Sequence, residues 1–125
     1  MINKTILVGN VGNDPTYKSL DDQGNGVINF SLATSESWTK NGEKQTSTEW
    51  HNCKAFGKLA LIINDWVKKG QLLYVEGKIK TRSWDQDGTK KYMTEIIVDQ
   101  MQMLGKKPSE DKQELNDFDK EFDAT

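Results

Sequence analysis

Within residues 1–108 only one stretch carries the period of a helix. Over residues 58–69, Leu59, Ile62, Ile63, Trp66 and Val67 recur at i, i+3, i+4, i+7 and i+8, the apolar stripe of a helix packed on a core. Lys68-Lys69-Gly70 then supplies the basic last turn and glycine stop of a helix C-terminus. On both sides the period is two. Residues 5–11 are short and β-rich and end on the turn formers Gly12-Asn13-Asp14-Pro15. A second strand is expected over about 27–37, after the flexible segment 21–26. In it Ile28, Phe30, Leu32 and Thr34 share one face, and Asn29, Ser31, Ala33 and Ser35 the other. A polar loop over 39–47, with Asn41-Gly42 inside it, leads to a third strand over 48–56. Two more, about 72–84 and 91–104, flank the hairpin turn Asp85-Gln86-Asp87-Gly88. Three strands, one helix and two strands predict an all-β fold with one helix: a five-stranded Greek-key OB-fold barrel, the helix between strands three and four.

The bulk properties are compatible with that and exclude much else. A chain of 125 residues allows one domain, and 34% hydrophobic residues with a mean hydropathy of -0.77 allow a small core only. No apolar run is long enough to span a membrane, and Met1-Ile2-Asn3-Lys4 does not open a signal peptide. Cys53, the single cysteine, makes neither an internal disulfide nor a zinc cluster. The expectation is a small intracellular protein with no cofactor and no metal. Its formal charge of -2 hides an asymmetry. Residues 1–108 hold fifteen Lys and Arg against twelve Asp and Glu, a net of +3; residues 109–125 hold two against seven, a net of -5. The predicted domains are therefore a mildly basic body, 1–108, and an acidic, disordered C-terminal tail, 109–125.

Four tryptophans are many for so polar a chain, and strand alternation sorts them. In strand three Trp50, Asn52, Lys54 and Phe56 share one face, and His51, Cys53 and Ala55 the other. In strand four Lys78, Lys80, Arg82 and Trp84 lie together, while Leu73, Val75, Gly77 and Ile79 face away. One face suits a core. The other interleaves flat rings with cations, the pattern that binds single-stranded nucleic acid: rings stack on unpaired bases at about 1–3 kcal/mol per base, and Lys or Arg neutralise phosphates. Trp38, beside the polar loop, is a third candidate platform. Trp66 lies on the helical stripe and is assigned to the core.

Catalysis has little to draw on. His51 and Cys53 share a strand face, but no second histidine or cysteine exists to orient them or to bind zinc. Gly9-Asn10-Val11-Gly12 and Gly24-Asn25-Gly26 read as turns, not as a phosphate-binding loop. The chain is expected not to be an enzyme.

These residues are also recognisable. Ile6-Leu7-Val8-Gly9-Asn10-Val11-Gly12-Asn13-Asp14-Pro15, Leu32-Ala33-Thr34-Ser35-Glu36-Ser37-Trp38, Thr48-Glu49-Trp50-His51, Phe56-Gly57-Lys58-Leu59-Ala60, Tyr74-Val75-Glu76-Gly77, Thr81-Arg82-Ser83-Trp84, Thr94-Glu95-Ile96 and Met101-Gln102-Met103-Leu104-Gly105 resemble the bacterial-type single-stranded DNA-binding protein family, over about residues 1–105. The resemblance implies a homotetramer, cytoplasmic and nucleoid-associated, that wraps single-stranded DNA in replication, recombination and repair. It implies stacking by Trp38, Trp50, Phe56 and Trp84, and phosphate contacts by Lys58, Lys69, Lys80 and Arg82. Family members often carry a basic residue where this chain has Asn52; Lys54, on the same face, is taken as its substitute. His51 corresponds to a histidine near a subunit contact.

The tail departs from the family's long Gly/Pro/Gln-rich linker and Pro-Phe-like end. Acidic and aromatic residues remain in Asp117, Phe118, Asp119 and Phe122, read here as a divergent docking tail for replication and repair proteins or an autoinhibitory one; a merely solubilising tail is the alternative. Two other functions are weighed against DNA binding: an OB protein preferring single-stranded RNA or serving as a replication-restart adaptor, and an assembly scaffold that gives no response to nucleic acid.

Overall fold

Strands that each carry one apolar and one polar face bury the apolar side without leaving an open sheet when they close on themselves. The computed structural model of the protein describes residues 1–105. Its elements are β1 (Thr5–Val11), β2 (Thr16–Ser19), β3 (Gly26–Lys40), β4 (Glu43–Phe56), α1 (Gly57–Trp66), β5 (Leu72–Gln86) and β6 (Thr89–Leu104). The sheet runs β1–β5–β6–β4–β3 and closes through a β1–β3 pairing. β1 makes the closure by dividing its partners: Thr5 to Asn10 pair with β5, while Asn10 and Val11 pair with β3. Gly9 permits the approach, since a side chain there would run into the carbonyl oxygen of Ala33. β4 and β6 meet in parallel at Cys53↔Ile96 and Lys54↔Ile97. This is the predicted five-stranded closed barrel with a single helix between its third and fourth long strands. The predicted boundary at residue 108 and the acidic tail lie outside the described residues.

The barrel interior holds Ile28, Phe30 and Leu32 of β3, Cys53 and Ala55 of β4, Leu73 and Val75 of β5, and Ile96 and Val98 of β6. Ala60, Ile63 and Val67 close one end from the helix and the residue after it. The alternation read in the sequence holds for these strands, with one exception. Ile79, expected inward, still faces the buried Ile96 but is about half exposed, because from Lys78 onward β5 runs out past the core.

Three further features depart from expectation. β2 is a sixth strand on the outside of the ring, paired with β3 from Thr16↔Asn29 to Ser19↔Gly26. Four residues with one apolar side chain, Tyr17, carry no strand pattern of their own; the Tyr17 ring fills the space where a side chain on Gly26 would stand. The polar segment 39–47 is not a loop. β3 and β4 stay paired as far as Lys40↔Glu43, and only Asn41 (φ 53°) and Gly42 (φ 78°) turn. Both take the positive φ of a tight primed turn. The segment is polar because both faces of this arm meet water; Ser35 and Thr48 hydroxyls pair across it at 2.9 Å. Finally, Trp66 is not in the core but 51% exposed. The helix presents Ala60, Ile63 and Val67 inward, and at about 100° per residue Trp66 stands roughly 60° round from Ile63, on the flank.

Candidate nucleic-acid interface

Residues opposite one another in a ladder lie on the same face of the sheet. Asn29 faces Lys54, Lys54 faces Ile97, and Ile97 faces Lys78, so one row crosses four strands on the outside of the barrel. Successive rows add Ser31↔Asn52 and Ala33↔Trp50 on one side, and Lys80↔Glu95, Arg82↔Met93 and Trp84↔Lys91 on the other. The β4 stripe of Trp50, Asn52, Lys54 and Phe56 and the β5 stripe of Lys78, Lys80, Arg82 and Trp84 are therefore one continuous surface. Sequence periodicity gave each stripe; only the short β4–β6 contact joins them.

Each aromatic on this surface is held differently. Trp50 is 60% exposed, yet its ring lies across Gly12, where an added side chain would meet it. That turn is fixed in its own right. Asn13 Oδ1 accepts from the Ser31 amide at 3.2 Å and the Ser31 hydroxyl at 2.7 Å, and the Gly12 amide donates to the Ser31 carbonyl at 2.9 Å. Trp84 carries the Arg82 guanidinium over its ring, 4.9 Å from the centroid. Phe56, half exposed, ends β4 at the N-terminus of the helix. Trp38 is about half exposed but pairs with Gln45, on the strand face that continues Thr34 and His51. It thus stands on the opposite side of the β3–β4 arm from Trp50.

The cations fall into two groups. Lys58, Lys69, Lys78 and Lys80 are exposed and make no ion pair among the described residues. Lys69 is brought in by the chain rather than by a strand. Its amide donates to Asp14 Oδ1 at 2.9 Å, and the next amide, of Gly70, to the Val11 carbonyl at 2.8 Å, which sets the turn after the helix beside the Gly12 turn and Trp50. Lys54 and Arg82 are instead tied to Glu95, at 3.2 Å and 3.1 Å. Periodicity offers no sign of Glu95, which stands in the sequence only as part of the family-like Thr94-Glu95-Ile96. Two hollows flank it. One of about 370 Å³ is lined by Asn13, Asn29, Asn52 and Met93 together with Lys54, Arg82 and Glu95. The other, about 490 Å³, adds Phe56, Lys78, Lys80 and Ile97 to the same three.

The one histidine and the one cysteine do not form a nucleophilic pair. His51 Nε2 lies 2.8 Å from the Thr34 hydroxyl on the neighbouring strand. Cys53 is buried, and burial pushes its thiol up to about 12, the opposite of what activates a nucleophile. Among the described residues no group of three or more His, Cys, Asp or Glu is placed to hold a metal, and no helix is long and apolar enough to cross a membrane.

Comparison with known proteins agrees with this geometry. The single-strand binding protein family matches residues 2–104. Single-stranded DNA-binding protein 1 of Chlorobaculum tepidum is 49% identical over an alignment of 111 residues that covers 86% of this chain and 68% of that one. The solved structure of a Plasmodium falciparum SSB complex with ssDNA superposes with a TM-score of 0.75 at 33% identity, covering 83% of this chain and 96% of that one. A deletion mutant of the single-stranded DNA binding protein from Thermus aquaticus gives a TM-score of 0.69 at 26% identity, covering 82% of this chain and half of that one. With the barrel, the joined aromatic and cationic surface and a match over nearly every described residue, this chain belongs to the single-strand binding protein family.

Proposed function

We propose that this protein binds single-stranded DNA without marked sequence preference and is not an enzyme. The observation that carries the reading is the Asn29–Lys54–Ile97–Lys78 row, which merges two ring-and-cation stripes into one groove. Bases stack on Trp50, Phe56 and Trp84, with Trp38 adding a platform on the far side of the β3–β4 arm. Phosphates are met by Lys58, Lys69, Lys80 and the half-exposed guanidinium of Arg82, and Lys54 lines the same groove. Neither stacking nor charge neutralisation depends much on base identity. The protein serves replication, recombination and repair by covering exposed strands in the cytoplasm, at the nucleoid.

A homotetramer accompanies this reading. Support comes from β1, whose Ile6 and Val8 are about half exposed and whose edge opposite β5 pairs only at Asn10 and Val11 among the described residues. A strand edge with apolar flanks suits pairing with a second copy. His51, half-buried at the barrel rim, is assigned to a subunit contact. Asp117, Phe118, Asp119 and Phe122 are assigned to a tail that docks replication and repair proteins or competes for the groove.

Titration with oligo(dT), followed by tryptophan fluorescence at several salt concentrations, tests the function. Strong quenching with salt-dependent affinity is expected. No quenching at low salt removes the reading and leaves the scaffold alternative; tighter binding to oligo(rU) moves it to RNA. Mass in solution, with and without oligo(dT), tests the tetramer.

A further inference from the structure

Glu95 occupies an unusual place for an acid. It lies on the outer face of β6, between the two hollows of the groove, yet only 7% of its side chain is exposed. Both oxygens are engaged: Oε2 accepts from Lys54 Nζ at 3.2 Å, and Oε1 accepts from Arg82 Nε at 3.1 Å. A carboxylate kept this dry is tolerated because two cations cover it. Their availability to anything else is thereby reduced. The Lys54 side chain is itself only 19% exposed, so a phosphate that took its ammonium would leave Glu95 short of a partner inside the protein. Arg82 differs. It is held through Nε and its Nη2 donates to Met93 Sδ at 3.5 Å, but the side chain remains half exposed over the Trp84 ring and stays within reach of a phosphate.

The two hollows differ in chemistry accordingly. Beyond the shared triad, one side offers the uncharged amides of Asn29 and Asn52, and the other the unpaired Lys78 and Lys80. We infer that Glu95 is a charge-setting and positioning residue of the groove. It withholds Lys54 from phosphate and fixes Arg82 against Trp84, so that phosphates pass along Lys78 and Lys80 while bases pass over Lys54 and the Asn29 and Asn52 amides. This rests on the single-stranded DNA reading above.

The slope of log K against log [salt] counts the phosphates neutralised, at about 0.7 per phosphate for a single strand. Oligo(dT) titrations of the full chain at four or five salt concentrations, with Lys54→Met, Lys80→Met, Glu95→Gln and the Lys54→Met/Glu95→Gln pair, read it directly. Lys80→Met is expected to flatten the slope by about 0.7. Lys54→Met is expected to leave it unchanged, whatever it does to affinity. Glu95→Gln, which removes the charge and keeps the shape, should steepen the slope by about 0.7 as Lys54 is released, and the paired variant should return it to the wild-type value. A slope flattened as much by Lys54→Met as by Lys80→Met overturns the inference, as does an unchanged slope in a folded Glu95→Gln. Should Glu95→Gln not fold, the two lysine variants still decide. Absence of binding by the unaltered chain removes the DNA reading instead.

Discussion

Gly12→Ala should weaken DNA binding without touching an aromatic residue or a charge. The backbone at Gly12 is not in the left-handed region, so alanine brings no conformational strain of its own. Its added carbon would strike the Trp50 ring and come within 2.7 Å of the Ser31 hydroxyl. Ser31 cannot easily yield, because Asn13 binds both its hydroxyl and its amide. Trp50 can, since more than half of its surface meets solvent. The indole is therefore displaced, and the loss is that of its stacked base: up to about 1–3 kcal/mol, or roughly 5- to 140-fold in affinity. Stability should change by no more than about 1 kcal/mol, because an exposed ring moves while the core does not. Fluorescence titration with oligo(dT) and a urea melt measure the two quantities. The control is Gly12→Ala in a Trp50→Ala background, where no further loss is expected because the displaced ring is already gone. Wild-type affinity in the single variant, or an equal loss with Trp50 absent, would refute the reasoning.

Trp84→Ala should lose a comparable 5- to 140-fold, roughly, in oligo(dT) affinity. Trp66→Ala should instead leave affinity unaltered and cost less stability than the ~3–5 kcal/mol of a fully buried aromatic, as urea melts would show. Glu76 accepts from the Tyr74 hydroxyl at 2.6 Å and pairs with Lys4 at 3.0 Å, which together hold its carboxyl below the ordinary 4.5. Because the folded value is the lower one, this stabilisation is complete above the unfolded value and is lost as pH falls through the folded one. Glu76→Gln should accordingly flatten the decline of Tm on the acid side of pH 4.5. Deleting residues 109–125 removes a net charge of -5 and should tighten oligo(dT) binding at low salt; unchanged affinity would dismiss an autoinhibitory tail.

Periodicity located the strands because each buries one face, so Ile28, Phe30 and Leu32 or Leu73 and Val75 announce themselves at every second position. The same rule failed where burial stops. In the β3–β4 arm both faces meet water, so residues 39–47 read as loop although they are mostly paired strand. β2 escaped notice because its four residues are strand only by virtue of β3 beside them. Trp66 lies outside the core that its stripe predicts, because an apolar stripe gives the direction of a helix face but not its width. Lys54 and Arg82 are legible as cations on the right face, whereas Glu95 meets Arg82 across the β5–β6 hairpin and reaches Lys54, forty-one residues away in the chain, only through a parallel contact of two residue pairs.

By itself, then, the sequence determined the element order, the inward faces and the pairing of rings with cations along each strand, since these depend on local period and side-chain chemistry. Tertiary structure alone decided which stripes share a surface, which side of an arm Trp38 takes, what holds Trp50 in place and which cations remain free. The reason is physical: alternation fixes a side chain relative to its own strand, while register, twist and barrel closure fix strands relative to one another, and those depend on contacts between residues far apart in the chain.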